Sequence, residues 1–168
     1  LHDALPICTG AARAAARIAR GRGACMVRVV KLLQLNFLPR SADLALLGLR
    51  LWFGLAMAIL HGWPKLMNFA SIKPKFIDFL GLGPGLSLGL ATFAELGSAA
   101  MLALGLWTRL NAVILGITMG VAFWQAHGGK LSGPGSGEMA FLYLGACVVL
   151  FVSGGGKYAV DSALGGKA

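Results

Sequence analysis

Acidic residues are scarce in this chain. Its 168 residues include six aspartates and glutamates against fifteen lysines and arginines, and charged side chains make up 12% of the total. A soluble domain ordinarily carries about twice that fraction. Cysteine is scarce too: Cys8 and Cys25 fall in the first 25 residues, leaving Cys147 alone in the rest. There is no CxxC, no paired-cysteine metal spacing and no CxxCH, so the cysteine pattern offers neither a metal centre nor covalent haem attachment. Alternation at period two is absent over any useful length, which argues against barrel strands. "GGGK" at 154–157 has no Ser or Thr after Lys157 and no strand before it, so it is not a phosphate loop.

What the chain has is apolar length. Hydrophobic residues reach 57% and the mean hydropathy is +0.76. A membrane-spanning helix needs roughly 20 mainly apolar residues. Four stretches approach or exceed that, at about 44–60, 86–107, 110–126 and 139–156, and the last two carry no charge. A soluble four-helix bundle would need polar outer faces that these segments lack. The expected fold is therefore all-α, a bundle of four transmembrane helices with short interfacial helices, in a single domain over 26–168.

The net charge of +9 does not point to nucleic acid. Arg13, Arg17, Arg20 and Arg22 against Asp3 give residues 1–25 a charge of +3, and the remaining basic residues other than Arg50 sit near the ends of the apolar stretches or between them. Residues 1–25 lack the apolar core of a signal peptide and read as a non-native or disordered leader before a natural start at Met26. With the N-terminus inside, Arg28, Lys31, Arg40, Arg109, Lys157 and Lys167 fall on the cytoplasmic side, and Lys65, Lys73, Lys75 and Lys130 fall outside. The basic-residue rule then puts both termini in the cytoplasm. The external connection, 61–85, is expected to contain breaks at Pro64 and Pro74 and a short interfacial helix bearing Phe76, Phe79 and Leu80. "VRVVKLLQLNFL" before Pro39 fits a similar interfacial helix on the inner side.

Two ionisable residues lie inside spans. Glu95 is the only charge between Phe79 and Trp107. Its helical neighbours Ala91, Thr92, Ser98 and Ala99 are small or weakly polar, so the acid faces another helix rather than lipid. Arg50 shares a face with Gly54, Met57 and His61. By helical rise Glu95 lies about 13 Å from the outer end of its span and Arg50 about 10 Å from the inner end, a gap of several ångströms for side chains or water to close. Intramembrane charges are normally paired, functional or both. One reading is an Arg50–Glu95 ion pair that fixes register; the other is a proton-exchanging or ligand-holding acid in a polar cavity. The third span has a small-residue stripe, Ala112, Gly116 and Gly120, that continues to Phe123, Trp124 and His127. His61, His127 and Glu138 are expected to surround one outer mouth, where haem ligation by the two histidines or zinc ligation by all three lacks supporting spacing.

"LRLWFGLAMAILHGWPKL", "AELGSAAMLALGLWTRLNA", "MGVAFWQAHGG", "GSGEMAFLYL" and "GGGKYAVDSAL" together resemble the successive motifs of the DoxX family of small four-helix membrane proteins, over about Asp43 to Leu164. The resemblance maps the family's intramembrane arginine and glutamate onto Arg50 and Glu95, its Gly-x-x-Lys onto Gly62 and Lys65, its Thr-Arg onto Thr108 and Arg109, its histidine onto His127, its Gly-Glu onto Gly137 and Glu138, and its closing glycines and aspartate onto Gly154, Gly156 and Asp161. Gly155 stands where the family often has proline, which is expected to loosen that turn. The resemblance implies a subunit of a quinone-linked oxidoreductase system in the bacterial cytoplasmic (inner) membrane, with redox-enzyme partners. The candidate catalytic residues are Glu95, Arg50 and His127. The candidate ligand-binding residues are Glu95, His127, Glu138, His61 and Lys65. Quinone is the cofactor to consider; no covalent cofactor and no metal site are expected. Two further readings stay open: a non-catalytic membrane assembly partner, including a homo-oligomer formed on the small-residue faces, and a small proton-linked transporter, against which stands the lack of an inverted repeat.

Overall fold

The computed structural model describes residues 30, 33–35 and 41–165, and residues 41–168 form a compact unit of their own. The leader at 1–25 lies outside the described residues, as does most of the segment before Pro39. The described unit is all helical, with no strand. Ser41 opens α1 (Ala42–Met67), its Oγ accepting from the Leu44 N–H at 3.2 Å. A short helix α2 (Phe69–Ile72) and a 3₁₀ turn (Lys73–Lys75) follow. Pro84 stands at the start of α3 (Pro84–Leu104), where a missing N–H costs nothing, and Gly105 ends it at φ +75°. α4 comprises Thr108–Val121 and a π turn, Ala122–Ala126; α5 is Glu138–Ser153 and α6 is Val160–Ala163.

α1 packs along α3, and α4 packs along α5 and against the middle of α3. Phe53, Met57, Leu102, Leu115 and Leu150 lie at the centre. Small residues set the spacing. A Cβ on Gly54 would stand 2.7 Å from the Ala99 carbonyl oxygen, and one on Gly116 would touch the Cys147 Cβ at 3.4 Å. Cys147 is thus a buried packing residue on the α4–α5 seam.

The surface inverts the usual order of polar and apolar. Trp52 is 84% exposed, Val152 70% and Ile59 59%, while Arg50, Ser98, Thr108 and Asn111 are buried. So much apolar surface on the outside requires lipid or protein against it. Among the described residues two helices, α1 and α3, are long and apolar enough to cross a bilayer; α5 is apolar but only 16 residues long.

The connection 61–85 differs from its expected form. α1 does not break at Pro64 but runs on to Met67. The turn before the proline is a π turn (Ala58–Gly62), in which the Trp63 N–H reaches back five residues to the Ala58 carbonyl. That wider turn re-forms the ladder just ahead of the residue that has no N–H to give. Residues 76–83 are not an interfacial helix: Phe76 is extended, Leu80 has φ +56°, and the segment is tied down by polar side chains instead. The Phe79 N–H donates to Ser87 Oγ at 2.9 Å and the Gly83 N–H to Asp78 Oδ1 at 2.8 Å. The helical turn of this connection is α2, before Pro74.

Candidate functional site

A cavity of about 590 Å³ lies between α3 and α4, with the connection as its third wall. Leu90, Phe93, Ile114, Ile117 and Val121 make it apolar, and Phe76 and Phe79 close one side. These phenyl rings therefore face a cavity rather than lying along an interface. Ser87 and Thr118 also line it, but their hydroxyl protons are committed to the Gly83 and Ile114 carbonyls at 2.8 and 3.0 Å. The polar groups left to meet a ligand are Lys65, Glu95 and His127, with Lys75 exposed at the edge.

Glu95 is 5% exposed and faces inward, as its small neighbours predict; Ser98 and Ala99 beside it are fully buried. Its partner is Lys65 and not Arg50. The Lys65 ammonium donates to Glu95 Oε2 in the ion pair that joins α1 to α3. Gly62 makes this pair possible: a Cβ there would stand 2.6 Å from Leu96 N and 2.7 Å from the Glu95 carbonyl carbon and oxygen. Only glycine lets the two backbones come that close, and the lysine three residues later then lies within reach of the acid. The Gly-x-x-Lys spacing is the sequence signal for this pairing.

His127 ends the π turn of α4. Its Nδ1 lies 2.9 Å from the Gly135 carbonyl oxygen. A carbonyl only accepts, so Nδ1 carries the proton, and Nε2 is the ring nitrogen available to another group. A shared backbone feature surrounds the three polar residues. Glu95 lies within a π turn (Phe93–Ser98), while Lys65 and His127 follow the π turns Ala58–Gly62 and Ala122–Ala126. At all three the ladder reaches back five residues: Trp63 to Ala58, Ala99 to Ala94 and His127 to Ala122. Such turns recur at functional sites because they re-aim side chains within a helix.

The other candidates lie elsewhere. His61 packs edge-on against Tyr143, with ring centres 5.7 Å apart, and Glu138 is the first residue of α5. Neither lines the cavity, and among the described residues no three His, Cys, Asp or Glu side chains gather into a group able to hold a metal. Of His61, His127 and Glu138, the residues expected at one outer mouth, only His127 lines the cavity; His61 lies against Tyr143 of α5. Arg50 is fully buried beside Gly105, away from Glu95, and the guanidinium has no hydrogen-bond partner.

Asp161 is the polar residue whose part the sequence did not disclose. Its oxygens accept from the Trp107 and Thr108 N–H groups at 2.6 and 2.8 Å, capping α4 from 53 residues away in sequence. Burial alone would raise its pKa, but the Thr108 and Trp107 hydrogen bonds and the Arg50 charge together hold the carboxyl below its ordinary value. With Asp43 bound to the Lys157 N–H, Asp78 to the Gly83 N–H and Glu95 to Lys65, few acids remain to face Arg50.

In comparison with known proteins, the sequence pattern of DoxX matches residues 45–128. No curated protein and no solved structure matches the chain.

Proposed function

Since the chain belongs to the DoxX family and is a membrane protein, we propose that it serves as a quinone-interacting or membrane-anchoring subunit of an oxidoreductase system in the bacterial cytoplasmic membrane. The observation that carries the reading is the apolar cavity with Lys65, Glu95 and His127 on its wall. Its volume suits a ring with part of an apolar tail, and a few polar groups in an apolar pocket are what orient such a ligand. The donor set fits: Lys65 retains N–H groups to donate to a ring oxygen, and Glu95 or His127 Nε2 takes or returns a proton there. When bound, the quinone ring carries the electron pair that a partner subunit supplies or accepts. α1, α3, α4 and α5 are read as four crossings with both termini cytoplasmic, the shorter α5, about 24 Å by helical rise, being completed by its flanking turns.

Titration of the full chain in nanodiscs with a short-tailed quinone is the test. Saturable binding is expected, weakened at least about tenfold by Ala91→Phe, which fills the cavity without altering charge. Binding that never saturates, or that ignores this substitution, would refute the reading. The ion pair itself favours a second reading, a catalytically inert assembly partner, because Lys65–Glu95 with Gly62 is a sufficient staple between α1 and α3.

A further inference from the structure

The cavity leaves the most deeply buried charge unused. Arg50 is 0% exposed, and no acceptor lies within hydrogen-bond distance of Nε, Nη1 or Nη2. A guanidinium in that state is costly unless a countercharge is near. Gly105 shows where it comes from. A Cβ at Gly105 would stand 1.9 Å from Arg50 Nη1 and 2.7 Å from the Ala159 Cβ, and the Gly105 carbonyl accepts the Asp161 N–H at 2.9 Å. One glycine thus has the arginine on one side and the Asp161 turn on the other. The Arg50 charge is among the causes that hold the Asp161 carboxyl below its ordinary value.

We propose that Asp161 is the countercharge of Arg50 and that the couple makes the turn at 154–163 a latch, holding the C-terminal segment on the α1–α3 pair and positioning the start of α4. Asp161 is a positioning residue: its oxygens hold the Trp107 and Thr108 N–H groups, and its charge answers Arg50. The same turn is tied to α1 at a second point, where Asp43 Oδ1 accepts the Lys157 N–H at 2.9 Å. Gly155 fits beneath it because a side chain there would stand 2.5 Å from the Ala159 Cβ.

The two partners are not equivalent, and the difference supplies the test. Arg50 is sealed, whereas Asp161 is only partly buried. Removing the acid strands a buried cation; removing the arginine leaves an acid that water can reach. Hydrogen–deuterium exchange of the full chain in nanodiscs reads the latch locally. Arg50→Gln touches none of the capping hydrogen bonds, yet peptides covering 105–109 and 157–163 are expected to exchange about tenfold faster while α5 stays protected. Asp161→Asn is expected to do more, and to lower the amount of protein in the membrane. Adding Arg50→Gln to Asp161→Asn is expected to raise that amount, because no charge is then stranded. Unchanged exchange in Arg50→Gln would overturn the couple. A double variant that accumulates no better than Asp161→Asn would overturn it as well, including where a single variant fails to fold.

Discussion

Lys65 and Glu95 carry opposite charges in unequal surroundings. The lysine side chain is 22% exposed and has a long stem that can carry its ammonium toward water, while the glutamate side chain is 7% exposed and held within a helix. Lys65→Met leaves a buried carboxylate without a partner and is expected to cost about 3 kcal/mol, the lower end for a broken buried pair because the site is not fully sealed. Glu95→Gln is expected to cost less, since the amide still accepts from Lys65 and the freed ammonium can turn outward. Thermal midpoints of the two variants and of Lys65→Met with Glu95→Gln measure this; the double variant should lie above Lys65→Met. Equal midpoints for Lys65→Met and the parent chain would contradict the pairing. The inward direction of Glu95 was legible in Ala91, Ser98 and Ala99. Its partner was signalled only by the Gly-x-x-Lys spacing, because Lys65 reads as a residue of the outer connection and becomes a neighbour only through the close approach at Gly62.

The four apolar helices were legible as elements because long runs with one charge or none admit little else. Their ends and inner phase were not. Pro64 reads as a break because it has no N–H to give, and the sequence does not show that a π turn just before it lets α1 run on to Met67. Residues 76–83 misled for another reason: Phe76, Phe79 and Leu80 have helical spacing, but Gly81 and Gly83 at positive φ and the caps from Asp78 and Ser87 favour a turn. Gly62 and Gly48 give a paired test on α1. Gly62→Ala would press a Cβ into the backbone of α3, whereas nothing lies within 4 Å of a Cβ at Gly48. Gly62→Ala is expected to lower the thermal midpoint by several degrees and to weaken the Lys65–Glu95 pair, while Gly48→Ala is neutral or slightly stabilising through helix propensity. A neutral Gly62→Ala would mean that α1 and α3 stand farther apart than described.

At the scale of the molecule, polar residues inside and tryptophan, isoleucine and valine outside make the bilayer part of the fold. Lys65, Lys73, Lys75 and Lys130 mark one end of the unit and Arg109 and Lys157 the other; with Arg28, Lys31, Arg40 and Lys167 counted on the second side the sequence has six basic residues against four, the bias on which the proposed cytoplasmic placement of that side rests. Reporter fusions within 76–83 are expected to be active outside, and fusions after Gly165 inside; the reverse would invert the topology and move the mouth of the cavity to the other face. The remote cap on α4 also bears on biosynthesis. A chain made from its N-terminus inserts α1, with Arg50 in it, long before the codon for Asp161 is read, and α4 enters with the N–H groups of Trp107 and Thr108 still waiting for their carboxylate. Until Asp161 has been made, the start of α4 lacks its capping carboxylate, so a chain cut short before that residue is expected to be a more open assembly than one that contains it.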